Sequence, residues 1–204
     1  WGQREPYNKF SPNGLAGCVM VAGAQALSYF QTVGSVQWQH NNSYGSSVLN
    51  WSKIIADSED TRRGYGMLSN SAPEHNQSGL QVSHLMRYLG VAVNANYNQA
   101  TSKKNASTGA DTGDMVKHLK NWCGLSGSTV IYNYGANEVR NALSQNPNSL
   151  VIVESWANRT NKFLGLIYQY KDGHAWIIDG ARRVQYSSSN IKDYVHCNWG
   201  WNSS

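Results

Sequence analysis

Charge is scarce in this sequence. Only 14% of its 204 residues are Asp, Glu, Lys or Arg, so Asn, Ser, Gln and Thr must supply much of the polar surface. That composition is in keeping with an exported protein. The net charge of +5 comes from scattered cations, with doublets only at Arg62-Arg63, Lys103-Lys104 and Arg182-Arg183. Tracking a phosphate backbone needs cations clustered on one face, so a nucleic-acid partner is not expected. No apolar run approaches the ~20 residues that span a bilayer. Three cysteines, Cys18, Cys123 and Cys197, are too few and too scattered for a disulfide framework or a zinc site. Cys123 and Cys197 read as two buried thiols, although pairing between them stays open. No His-x-x-x-His or Cys-x-x-Cys spacing suggests a metal ligand set, and no metal or organic cofactor is expected. No charged and apolar leader opens the chain, so a signal or pro-segment is expected to have been removed or to lie outside this sequence.

What is present is a chain long enough to bury a full core, with 8 Trp, 12 Tyr and 3 Phe. One domain over 1–204 is the default, with room for two lobes. The opening segment carries Pro6, Pro12, Gly14 and Gly17 and reads as a loop arriving at a helix start. From Cys18 to Phe30 the chain is rich in small residues. Val19, Ala22, Ala26 and Phe30 recur at helical spacing, and Gly23 and the alanines let other elements approach closely, so this helix reads as central and buried. Residues 31–50 read as a polar connection, 50–58 as a short helix, and 57–78 as an exposed loop. Residues 78–93 read as a surface helix with Gly90 as its C-cap, 98–113 as a polar loop, and 114–124 and 137–146 as two more helices. Strands are expected at 149–156, 163–170, 174–182 and 193–201, with turn signals at Asp172-Gly173 and Asp179-Gly180. Helices first and antiparallel strands last make an α+β pattern, with 1–146 mainly helical and 147–204 mainly sheet.

A nucleophilic cysteine needs its thiolate stabilised, a base within reach, and donors for the oxyanion that forms on the acyl group. Cys18 opens the central helix, where the dipole and unpaired amides favour a negative charge. His174 opens an apolar strand able to hold an imidazole still. Asn198 lies in a neighbouring strand, and Gln3 sits upstream of the cysteine with a side-chain amide to donate. The order Gln, Cys, His, Asn is that of the papain-like arrangement.

The segments "WGQREPYN", "AGCVMVAGAQALSYF", "GHAWIIDGA" and "VHCNWGW" resemble, in order, the four hallmark segments of the streptopain family of bacterial cysteine peptidases. The resemblance runs from residue 1 to residue 201, weakly between the segments. It implies a papain-like two-lobe fold, a helical lobe followed by a twisted antiparallel sheet lobe, with the peptide in the cleft between. Carried over by position, Cys18 is the nucleophile, His174 its base, Gln3 the oxyanion-hole donor, and Asn198 with Trp199 the support of the histidine. We expect Asn198 to position the ring and Trp199 to pack over it and exclude water. The resemblance further implies protein or peptide substrates with an apolar side chain near the scissile bond, an inhibitory prodomain in a zymogen, and a secreted or cell-surface bacterial enzyme. Two departures stand out. The stretch between Glu154 and His174 is longer than the family pattern and includes "KFLGLIYQY". The sequence also stops at "NWGWNSS", where the family continues, so C-terminal strand(s) are expected to be missing.

Alone, Cys18 would read as a small buried hydrophobe, His174 as a strand histidine and Gln3 as a polar loop residue. The ordered segments favour the catalytic roles. His40, His75, His84, His118 and His196 have no such context and read as surface or structural, with His84 on the polar side of its helix. Trp199 and Trp201 alternate along one strand, and Trp201 reads as packing. Asp179 reads as a turn former and Glu154 as a strand residue. Two rival functions remain: a thiol acyltransferase on the same scaffold, and an inactive or non-catalytic adhesion or carbohydrate-binding relative. The substrate-binding residues are not identified by the sequence.

Overall fold

The computed structural model describes residues 1–62, 73–98, 107–145, 148–162 and 167–201. The chain forms two compact units, one of Trp1–Val130 with Gly200–Ser204, the other of Ile131–Trp199. Helices dominate the first and an antiparallel sheet the second, the mixed architecture that the sequence pattern predicts.

In the first unit α1 (Cys18–Phe30) is the central element, with every residue from Val19 to Leu27 buried. It packs against α3 (Pro73–Ala92) and α4 (Thr112–Trp122). Met20, Leu27, Leu85, Met86, Leu89, Met115 and Leu119 are almost wholly removed from water. Each such side chain contributes roughly 1.5–3 kcal/mol of hydrophobic stabilisation. Gly23 shows why the helix needs small residues: a Cβ there would lie 2.6 Å from the sulfur of Met115. α2 (Trp51–Arg62) starts at Asn50, whose side chain accepts the Lys53 amide, and the Trp51 indole donates to the Val33 carbonyl at 2.7 Å.

Several sequence expectations need correction here. Residues 31–50 contain a hairpin, β1 (Ser35–His40) paired with β2 (Ser43–Val48). Asn41 takes the positive φ of 52° that a two-residue hairpin turn requires. The helix expected over 50–58 runs on to residue 62, and the one expected from 78 begins at 73, so the described ends of the loop expected over 57–78 are helical; residues 63–72 lie outside those described. Gly90 lies inside α3 and is no cap. It is buried beneath the Tyr97 hydroxyl, where a side chain would collide. The expected polar loop over 98–113 is flanked by paired strands, β3 (Asn96–Asn98) and β4 (Ser107–Gly109). His84 is not on a polar surface. It is 6% exposed, with its ring stacked against Phe10 and Trp38, both at centroid distances of 4.3 Å. Burial and the nearby Lys9 cation pull its pKa down to about 4, so the ring is neutral at pH 7.

The second unit holds α5 (Ala136–Gln145) and a sheet of order β5-β6-β7, with β5 at Val151–Lys162, β6 at Ile167–Gln185 and β7 at Ile191–Asn198. Val139, Val153 and Ile178 form its core, with Leu143, Val151, Trp176 and Cys197 against them. The two strands expected at 163–170 and 174–182 are one. Asp172-Gly173 is no turn: Gly173 pairs across from Trp156, whose indole covers it so closely that a Cβ would lie 2.7 Å from Nε1. The β5–β6 pairing stays in register out to Lys162 and Ile167, while residues 163–166 lie outside those described. Asp179 marks a bulge, between Ile178 and Gly180, and receives a hydrogen bond from His196 Nδ1 at 2.5 Å. β7 ends at Asn198, so Trp199 and Trp201 do not share a strand.

Candidate active site

The residues singled out from the sequence fall into two groups, one in each unit. In the first unit Cys18 is the first residue of α1 and is partly exposed. Gly17 is the N-cap and supplies no side-chain hydrogen bond, and the first turn carries no acidic residue. The positive end of the helix dipole is thus not offset by a capping carboxylate, which suits a thiolate at this position. The approach to it is held by the β3–β4 hairpin. Asn13 Nδ2 donates to the Ser107 carbonyl at 2.9 Å and to the Thr108 hydroxyl at 3.0 Å, and that hydroxyl donates to the Leu15 carbonyl at 2.8 Å. Asn13 Oδ1 accepts the Leu15 amide at 3.0 Å, an Asx turn that fixes the chain three residues before the cysteine.

Gln3 lies beside this approach, because the Ala16 amide donates to the Gln3 carbonyl at 2.9 Å. With Arg4, Leu15 and Trp201 it lines an open cleft of about 440 Å³. Trp201, expected as a packing residue, is 65% exposed and forms one wall.

In the second unit His174 sits on β6, paired across from Ser155. Its Nε2 lies 2.8 Å from the Trp199 carbonyl oxygen. A carbonyl can only accept, so Nε2 carries the proton and Nδ1 is the ring's basic nitrogen. The Trp176 indole lies nearly parallel to the ring at a centroid distance of 6.0 Å and the Trp199 indole at 6.5 Å. The two indoles contact each other at 4.9 Å, so the His174 ring lies beside a packed aromatic pair. Asn198 closes β7 across from Ile177. Trp176 and the main-chain carbonyl of Trp199 did not emerge from the sequence. The signal for Trp176 was its position two residues after His174 on one strand, which puts both side chains on one face. A carbonyl has no sequence signal.

The other cysteines lack this setting. Cys123 is buried at the end of α4, and burial pushes its thiol pKa up. Cys197 is partly buried against the core of the second unit. None of the three is in a disulfide. His40 Nδ1 donates to the Phe10 carbonyl at 2.7 Å, and His118 Nε2 contacts the Tyr88 hydroxyl at 2.9 Å. The side chain of His75 lies outside those described. Among the described residues no cluster of His, Cys, Asp or Glu could hold a metal ion, and no helix is long and apolar enough to cross a membrane.

Comparison with known proteins adds the following. The model of the peptidase C10 family matches residues 1–204. The fold resembles that of active interpain A, a cysteine protease of Prevotella intermedia, with a TM-score of 0.60 at 23% identity, covering 99% of this chain and 79% of that one. It also resembles a prointerpain A fragment from the same organism, with a TM-score of 0.58 at 23% identity, covering 99% of this chain and 60% of that one. No curated protein sequence gives a significant match.

Proposed function

The chain belongs to the peptidase C10 family, and from that premise we propose that it is a cysteine endopeptidase using Cys18 as nucleophile and His174 as base. The observation that carries the proposal is the hydrogen bond from His174 Nε2 to the Trp199 carbonyl, which reserves Nδ1 for proton transfer. The helix start at Cys18 supports the other half of the pair.

In this mechanism the Cys18 thiolate attacks the peptide carbonyl carbon and a C–S bond forms. The oxyanion receives hydrogen bonds from the Gln3 side-chain amide and the Cys18 backbone N–H. The C–N bond then breaks as the imidazolium of His174 gives its Nδ1 proton to the leaving amine. Water, deprotonated by the same nitrogen, attacks the thioester carbon, the C–S bond breaks, and the thiolate returns. Trp199 and Trp176 hold the ring through these steps, with Asn198 alongside as a positioning residue. The substrates are proteins or peptides, and an inhibitory prodomain in a secreted bacterial zymogen belongs to the same proposal, in which only the existence of a pro-form draws support from the likeness to the prointerpain A fragment.

The test is incubation of an unstructured protein with the wild type and with Cys18→Ala, followed by mass spectrometry of the products. Fragments ending in free carboxylates, absent with the variant, are expected. Products carrying amine adducts would indicate an acyltransferase instead. No product from the wild type would overturn the proposal and favour a non-catalytic role.

A further inference from the structure

The cleft beside Gln3 has a charged wall that the proposed mechanism does not use. Its described lining is Gln3, Arg4, Leu15 and Trp201. Arg4 is exposed, and among the described residues no carboxylate lines the cleft and no ion pair engages its guanidinium. Leu15 and the Trp201 indole supply apolar surface next to the one cation. Such a pocket suits a short acidic side chain, whose methylene packs on the indole while its carboxylate meets the guanidinium as a forked, charge-assisted pair. A basic side chain would bring two cations together in the same space, so the pocket rejects as well as selects.

Resting on the cysteine-peptidase proposal, we infer that Arg4 makes this cleft a subsite for an Asp or Glu side chain of the peptide substrate, within a residue or two of the scissile bond. The location follows from chain continuity. Arg4 adjoins Gln3, which in the proposed mechanism binds the carbonyl oxygen under attack, and the Gln3 carbonyl is tied to Ala16, two residues before the nucleophile. A peptide whose scissile carbonyl reaches the Gln3 amide passes a neighbouring side chain along the Arg4 wall.

The experiment measures kcat/KM for internally quenched peptides in which Asp, Ala or Lys is moved through the two positions on either side of the cleaved bond. In the wild type one position should favour Asp over Lys by about tenfold at low salt, falling as ionic strength rises. The Asp-to-Lys ratio should drop to about one in Arg4→Ala, invert in Arg4→Glu, and persist in Arg4→Lys. Circular dichroism establishes that each variant is folded. Cleavage by the wild type with no acidic preference, or a preference that survives in Arg4→Ala, would overturn this inference alone. Failure of the wild type to cleave any peptide of the set would overturn the peptidase proposal and this inference with it.

Discussion

Replacing Gly17 by alanine should strike the approach to Cys18 harder than its size suggests. Gly17 has φ 95° and ψ 142°, a region essentially reserved for glycine, and forcing an L-residue into it costs about 1–3 kcal/mol. The added Cβ would also lie 2.5 Å from the Met20 Cε and 2.9 Å from the Thr108 Cγ2. The methionine tip can swing away. Thr108 cannot yield so easily, because its hydroxyl is bonded to the Leu15 carbonyl and the Asn13 amide, so overpacking adds about 1 kcal/mol. The combined loss is about 3 kcal/mol. For a chain of this length that lowers Tm by roughly 6–12 °C in a thermal melt. Gly14 provides the control, since its φ is 74° but nothing lies within 4 Å of a Cβ built there. Gly14→Ala should therefore carry only the backbone cost of about 1 kcal/mol. A Gly17→Ala melt indistinguishable from that of Gly14→Ala would refute the idea that Thr108 and Met20 pack down on the cap.

His84 should make stability depend on acid. Its folded-state pKa, about 4, lies below the ordinary 6.5, so its contribution is intact above pH 6.5 and is lost as pH falls toward 4. Urea midpoints between pH 7 and 4 should report a loss of about 3 kcal/mol from this group, and His84→Phe should flatten that limb; the same acid slope in the variant would refute the assignment. At the other unit, Trp199→Ala keeps the main-chain carbonyl but removes the indole beside His174. A stack of this kind is worth about 1 kcal/mol, so kcat/KM should fall roughly fivefold, with most of it recovered in Trp199→Phe. Unchanged kcat/KM in the alanine variant would mean that the carbonyl alone fixes the ring.

Much of this was legible because some patterns leave little choice. A run such as "AGCVMVAGAQALSYF", with small residues on every side, can only be a helix that others crowd against, and α1 is that helix. The β1–β2 hairpin was hidden because its residues are polar and Gly/Ser-rich. Its alternating Val36, Trp38 and His40, with Asn41-Asn42 at the two-residue turn, were the available signal. Glycine misled twice in the same way. Gly90 and Gly173 look like punctuation, yet each makes room for an aromatic ring from a neighbouring element, Tyr97 of β3 and Trp156 of β5, which helix and turn signals alone do not supply. His84 looked polar on its helix because the aromatic residues that enclose it, Phe10 and Trp38, come from a loop and a hairpin far from it in the chain. At the candidate site the side chains were readable in order along the chain. The acceptor for His174 was not, because it is a backbone oxygen.

The central claim is that Cys18 and His174 act as one ionised pair. The most direct measurement is the rate of Cys18 alkylation by iodoacetamide against pH, in the wild type and in His174→Ala, with the modified cysteine identified by mass spectrometry. The account predicts rapid labelling of Cys18 in the wild type persisting well below pH 7, and its loss in the variant. Labelling that follows an ordinary thiol titration near pH 8.5 in both proteins would contradict it.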